Sequence, residues 1–467
     1  MKLRELILAL AVGLLILFLP LKWSAALLGA ATLTILGLLR PALVFPFLAL
    51  SIPLGSVREF SAGPARVGLT EGMVALAVAV WLARKLALRE DWRDPGPLLQ
   101  PFLVLYGAMA VSVLKAISLE YSLKELLKWG EVLLVYLILS TAIEKKEIPL
   151  VVGGLLLAGF LEGLLGVYQF LTRSGPEHFR VMGRFVRAYG HFMQPNPFGG
   201  YMGLVMPLAL ALSLGLLLDG RLAWRWRLGL GLACLAAAVV TGTALIMSWS
   251  RGAWLGAAVA AMALASLMDR RVSLALILVL LTLALLLKFP PELFLARFQE
   301  LSLAPLSEDI RVVEITDENY AVVERLAHWD AALRMWRDHF WLGVGIGNYE
   351  PVYPAYALPR WPEPLGHAHN YYLNIAAETG LIGLMAYLFF WGCVFYWTLR
   401  AFGQAAGWEK ALMVGAFGSF MHLSVHNFFD NLYVHGMYLH VAVLLGIVST
   451  FVKGLPDPMR SGSVRKR

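Results

Sequence analysis

Apolar residues along this chain fall in long runs, not at regular intervals. A stretch such as LALILVLLTLALLLKF is apolar on every helical face, which suits a helix among lipids or other helices and not the alternation of a β-barrel strand. A hydrocarbon core of about 30 Å takes roughly 17 to 25 helical residues per crossing, and runs of that order recur from end to end. They predict spans at residues 6–20, 23–39, 41–53, 70–83, 98–114, 126–143, 149–171, 197–218, 228–247, 252–268, 272–289, 371–398, 409–427 and 431–452. The third and fourth are short, so the expected fold is an all-α polytopic membrane protein of about 12 to 14 transmembrane helices.

One insertion, residues 290–370, interrupts the runs and opens on Pro290 and Pro291, followed by the acidic SEDIRVVEITDENY. Inside it Val322, Leu326, Trp329, Leu333, Trp336 and Phe340 recur at helical spacing. That spacing predicts an amphipathic helix lying against the membrane domain, within one large periplasmic loop. The expected organisation is therefore N-terminal spans (1–171), central spans with an arginine-rich outer loop (172–289), the large loop (290–370), and C-terminal spans with a basic tail (371–467).

Composition changes this picture little: 59% hydrophobic and 15% charged residues are the proportions of a bilayer protein and exclude an ordinary soluble domain. The net charge of +8 would suit nucleic acid in a soluble protein. Here the basic residues Arg40, then Arg84, Lys85, Arg89 and Arg93, then Lys145 and Lys146, then Arg221, Arg225 and Arg227, then Arg270 and Arg271, then Arg400 and Lys410 fall in alternate gaps. That is the positive-inside order, and it predicts both termini in the cytoplasm and no nucleic-acid partner. Cys234 and Cys393 lie inside apolar runs, which indicates neither a disulfide framework nor a metal cluster. The first run leads into the second without a small-residue cleavage site, so no cleaved signal peptide is expected.

The candidate chemistry lies on the other face. Arg173, Arg180, Arg184 and Arg187 in a predicted outer loop, Arg251 in SWSRGAW and Arg325 on the amphipathic helix all break the positive-inside order. A guanidinium fork matches phosphate oxygens, so converging arginines suit a diphosphate headgroup. Each arginine alone reads more simply as a solvated or lipid-contacting charge; Arg251, set between apolar runs, is a functional candidate by default. In GHAHNYYLNIAAETGLIG, His369 stands before an apolar helix with His367, Asn370, Asn374 and Glu378 forming a polar stripe around it. A lone histidine there would be a structural hydrogen-bonder, but an imidazole in that company can accept a proton near neutral pH. Zinc on His367 and His369 lacks a third ligand of known position, and no metal is expected. GVGIGN follows a helix and lacks the preceding strand of a nucleotide-binding loop. In HLSVHNFFDNLYVHGMYLH, His422 and His426 are one helical turn apart and read as interhelical hydrogen-bonders, with Asp430 and Asn431 marking a turn. MQPNPFGGYMG reads as a helix entry, from which Gln194 and Asn196 can line the outer cavity.

Taken together, these stretches resemble the bacterial O-antigen ligases and O-antigen polymerases. His369 and Asn370, nine residues, then Gly380 and Gly383 reproduce their histidine motif, and SRGAWLG, Arg325 with Trp329, GVGIGNY and FMQPNPFGGYMGLVMPLAL resemble the superfamily in the same order. The resemblance implies a multi-pass enzyme of the bacterial cytoplasmic membrane with its active site on the periplasmic side. It implies a glycosyltransferase without metal or cofactor that moves a glycan from an undecaprenyl-diphosphate-linked donor to a lipid, glycan or protein acceptor. His369 would be the general base, and Arg251 and Arg325 would hold the diphosphate, with Arg184 and Arg187 assisting on charge and location. His367, Asn370, Gln194 and Asn196 are the expected acceptor or cavity contacts. Ligase, polymerase and protein O-oligosaccharyltransferase share these motifs. The reading from another class is a solute transporter, with Glu162 and Lys288 as its midplane groups.

Overall fold

The structure, a computed structural model, describes residues 20–55, 60–62, 65–87, 89–181, 183, 185–268, 311, 313–316 and 319–453. The expected spans at 6–20 and 272–289, together with Arg184, Lys288 and the basic tail, lie outside these residues. The described part is an all-α bundle. Its helices are α1 (Leu21–Leu39), α2 (Val44–Leu54), α3 (Leu69–Ala87), α4 (Leu99–Ser112), α5 (Leu119–Ala142), α6 (Ile148–Thr172), α7 (Pro195–Leu218), α8 (Trp224–Met247), α9 (Arg251–Leu267), α10 (Tyr320–Asp338), the single turn α11 (Tyr349–Val352), α12 (Tyr371–Gln404), α13 (Trp408–His426) and α14 (Met437–Val452). Two short antiparallel hairpins, β1 (Phe60–Ala62) with β2 (Ala65–Val67) and β3 (Arg180–Val181) with β4 (Phe185–Val186), are the strands among the described residues. By length and composition α7, α8, α12 and α6 with the turn before it can cross a membrane. Shorter apolar helices are α1, α2, α4, α9 and α14; α2, α4, α9 and α14 pack on the long ones, and α1 packs on α3 and α2.

α7 is the centre of the bundle, packed by α6, α8, α9 and α13 and buried along most of its length. Its entry, Gln194 followed by Pro195 at the first helical position, uses a residue whose missing N–H would have no partner there anyway. Its glycines admit neighbours: a Cβ on Gly203 would lie 1.9 Å from the His422 ring of α13. The helices agree with the sequence reading to within about four residues except that α12 continues six residues past its expected end, to Gln404, and two others start elsewhere. α5 starts at Leu119, earlier than the apolar run, because Ser118 and Ser122 are held by the Asn348 side chain. α14 starts only at Met437, because Asn431 to Gly436 form a turn that Asn427, Asp430 and Asn431 side chains bond.

α12 is broken at Gly380 (φ 65°, ψ −166°). The carbonyls and amides freed there pair with the preceding loop: Val344 N donates to Ala377 O at 2.9 Å, Gly345 N to Glu378 O at 2.9 Å, and Leu381 N to Phe340 O at 2.8 Å. This accounts for GVGIGN. Gly343, Gly345 and Gly347 all take positive φ, and the ribbon they form passes against α12 on one side and Ala116 and Tyr121 on the other.

The amphipathic helix forms as α10 and packs on α12, but the face it buries is not the one its large residues suggest. Val323, Ala327, His328, Ala331, Ala332 and Met335 go inward, while Leu333 and Phe340 stay exposed. Alanines let the two helix axes approach closely, and the bulky side chains are left at the rim.

Candidate active site

His369 sits in the tight turn that leads into α12. Asn370 caps that helix by accepting from Leu373 N at 3.1 Å, and Asn374 accepts from Ala368 N at 3.0 Å, so the polar stripe serves first to fix the turn. His369 itself has φ 51°, a left-handed conformation that a non-glycine residue keeps only when its surroundings impose it. Trp329 on α10 donates to the His369 carbonyl at 3.4 Å.

The surroundings of the ring are ionic. His369 Nδ1 lies 3.5 Å from Asp430 Oδ1 and His367 Nε2 lies 3.8 Å from the same oxygen. Asp430 comes from the turn between α13 and α14 and is 6% exposed. Burial alone would raise its pKa, but the adjacent rings of His369 and His367 and the guanidinium of Arg325 outweigh burial and hold the carboxyl well below the usual carboxylate range. His367 is pushed down to about 3 by burial and by His369, so near neutral pH it is uncharged. Its Nδ1 accepts the His369 backbone N–H at 3.0 Å, which places the single ring proton on Nε2, facing Asp430. His328, on α10 and stacked on Tyr353 at 4.6 Å, closes the other side of the pocket with its ring 5.7 Å from that of His369. Burial pushes it down to about 4.

Arg325, half-buried on α10, lies close enough for its charge to act on both Asp430 and His367. Arg251 opens α9, with Ser250 as the cap accepting from Ala253 N at 3.4 Å. The next residue, Gly252, abuts Phe429 and His426, immediately before Asp430. Trp249, two residues before Arg251, is also left-handed (φ 54°), as is Met193 (φ 58°) ahead of Gln194. Arg187 is engaged differently: its Nε donates to Ser248 O and its Nη2 to Asn196 Oδ1, both at 2.8 Å, tying the start of α7 to the α8–α9 junction. Gln194 stands exposed at the position before α7 and makes no side-chain cap bond to it.

Two participants were not singled out from sequence. Asp430 read as a turn residue, although an acid directly after a buried helix that ends in His426 is a signal of its own; it is also the third group whose absence argued against a metal. With it, His367, His369 and Asp430 offer ligand atoms within 4.8 Å of one another. The donor set fits a divalent cation poorly, because the His367 nitrogen facing Asp430 carries the ring proton and has no lone pair to give. The second is His328, masked by the apolar pattern of α10.

These features define a class: a polytopic helical membrane protein with an imidazole–carboxylate cluster and flanking guanidinium groups at one end of its bundle. Residues 236–388, about a third of the chain, match the family described as O-antigen ligase. The matched stretch includes Arg251, Arg325, His367, His369 and Asn370 and stops before Asp430. Comparison with curated proteins gives no match.

Proposed function

We propose that the protein is a glycosyltransferase of the bacterial inner membrane that transfers or polymerises a glycan from an undecaprenyl-diphosphate-linked donor onto an acceptor hydroxyl. The observation that carries this reading is the meeting of His369, Asp430 and Arg325 in one pocket. Ionised Asp430, 3.5 Å from Nδ1 of His369, favours the ring proton on that nitrogen and leaves Nε2 as the lone pair that removes the acceptor proton. The acceptor oxygen then attacks the anomeric carbon, and the electrons of the sugar–oxygen bond pass to the diphosphate. Fixed guanidinium groups of Arg325 and Arg251 stabilise that charge better than water can. Attack opposite the leaving group inverts the anomeric centre. Nothing in this sequence of steps requires a metal. Arg187, committed to Ser248 and Asn196, acts by holding the α7 entry, and Asn370 by capping α12.

A transport reading would draw on Glu162. Its carboxylate is spent on His191, accepting from the backbone N–H at 2.6 Å and facing Nδ1 at 2.8 Å, so it serves as a latch for the outer turn. The test is glycan transfer by purified protein from a polyprenyl-diphosphate oligosaccharide, read by mass spectrometry in the presence of a chelator. Wild type should be active; His369→Ala and Arg251→Ala should lose transfer. Variants that keep the wild-type rate would sink the assignment.

A further inference from the structure

The cations that mark one side of the membrane in the sequence come from three separate gaps, and they meet in space. Arg40 follows α1, Arg84 and Lys85 end α3 with Arg89 and Arg93 just beyond, and Lys146 follows α5; with Glu90, Asp91, Glu144 and Glu147 they line a cavity of about 410 Å³. The cavity lies at the end of the bundle away from the histidine cluster. α5 begins beside Asn348 and runs for 24 residues, about 36 Å of helix, before it reaches the cavity.

Four acids do not neutralise six cations, and the pairing is uneven. Arg40 meets Glu147 at 2.8 Å and Lys146 meets Glu144 at 2.7 Å, while Arg93 approaches Glu144 only to 3.5 Å. Arg84 pairs with Glu90 and the Leu38 carbonyl, yet its Nε is buried without an acceptor. Arg89 is exposed and pairs with no acid among the described residues. Recording topology requires cations near the membrane surface; it does not require a cavity with surplus guanidinium groups inside it. Leu39, which lines the cavity, is 74% exposed, and Leu86 and Trp92, chain neighbours of the lining residues Lys85, Asp91 and Arg93, are 73% and 66% exposed, which offers the ends of α1 and α3 as a path for hydrocarbon beside the charged floor.

We propose that this cavity binds the phosphate headgroup of an anionic membrane lipid, with the acyl chains lying along α1 and α3. Guanidinium forks take phosphate oxygens, and basic pockets between helices at the membrane surface suit such headgroups. The exposed apolar side chains beside the cavity favour a lipid over a soluble anion.

Full-length protein, delipidated in neutral detergent, would be given phosphatidylglycerol, phosphatidylcholine or inorganic phosphate, and binding read by native mass spectrometry with thermal shift alongside. Phosphatidylglycerol should be retained and raise the melting temperature, and the other two should not. The Arg89→Gln/Arg93→Gln pair should lose that preference by about fivefold per charge removed, and the Arg89→Lys/Arg93→Lys pair should keep most of it. Equal retention of the two lipids, stabilisation by phosphate alone, or an unchanged preference in the glutamine pair would each overturn the proposal.

Discussion

His369 has two ring nitrogens, and Asp430 decides which of them is available. An asparagine at 430 could face Nδ1 with either its amide or its carbonyl and carries no charge, so the tautomer of His369 would no longer be fixed. Asp430→Asn should therefore reduce kcat by about 10²- to 10⁴-fold, the usual worth of positioned proton transfer, with little change in donor KM. A kcat within threefold of wild type would remove Asp430 from the mechanism. His191 makes a pH-dependent case at the same scale. The Glu162 hydrogen bond is the main reason its pKa is raised, against opposition from burial. A raised folded pKa means that the latch contributes fully below the ordinary histidine value and is lost as pH rises through the higher folded one. Amide exchange at Gly190 to Phe192, corrected for intrinsic rate, should lose protection across that window in wild type and show no such step in Glu162→Gln. His369 was legible in the sequence because its motif is contiguous. Asp430 was not, because its partner lies on another helix connection and only packing brings the two together.

Helices follow from local pattern more surely than the faces they bury. The runs that became α6, α7, α8 and α12 are long enough for lipid to leave one answer, whereas α10 offered two stripes, one large and one small. The small one won because α12 presents a broken, closely stitched backbone instead of an open groove. That stitching also explains a motif that spacing alone could not: Gly380 is where α12 must take a left-handed turn so that Phe340 to Gly345 can pair with it. A Cβ on Gly380 would stand 2.2 Å from the Trp341 carbonyl carbon, so Gly380→Ala combines backbone strain of about 1–3 kcal/mol with a clash against main chain that cannot rotate away. The expected result is a lower melting temperature and a loss of transfer that Gly392→Ala, an open position on the same helix, does not share. Equal behaviour of the two variants would show that the stitch is dispensable.

At the scale of the whole molecule, the sequence predicts orientation through its basic gaps, and the bundle gives that prediction a concrete form. The histidine turn and the Asn348 tie lie at one end of α5, and Arg93, Glu144 and Lys146 lie at the other. If the first end faces the periplasm, Glu363→Cys, in an exposed stretch just before the turn, should react with a membrane-impermeant thiol reagent in intact cells. Asp91→Cys, exposed at the far end, should react only after the membrane is opened. Cys234 and Cys393 lie on helices that cross the bundle, and serine at both provides the background. The reverse pattern would place His369 and its arginines on the cytoplasmic side. A glycan carried on the outer leaflet could not reach them there, so this measurement bears on the chemistry as directly as any substitution within the pocket.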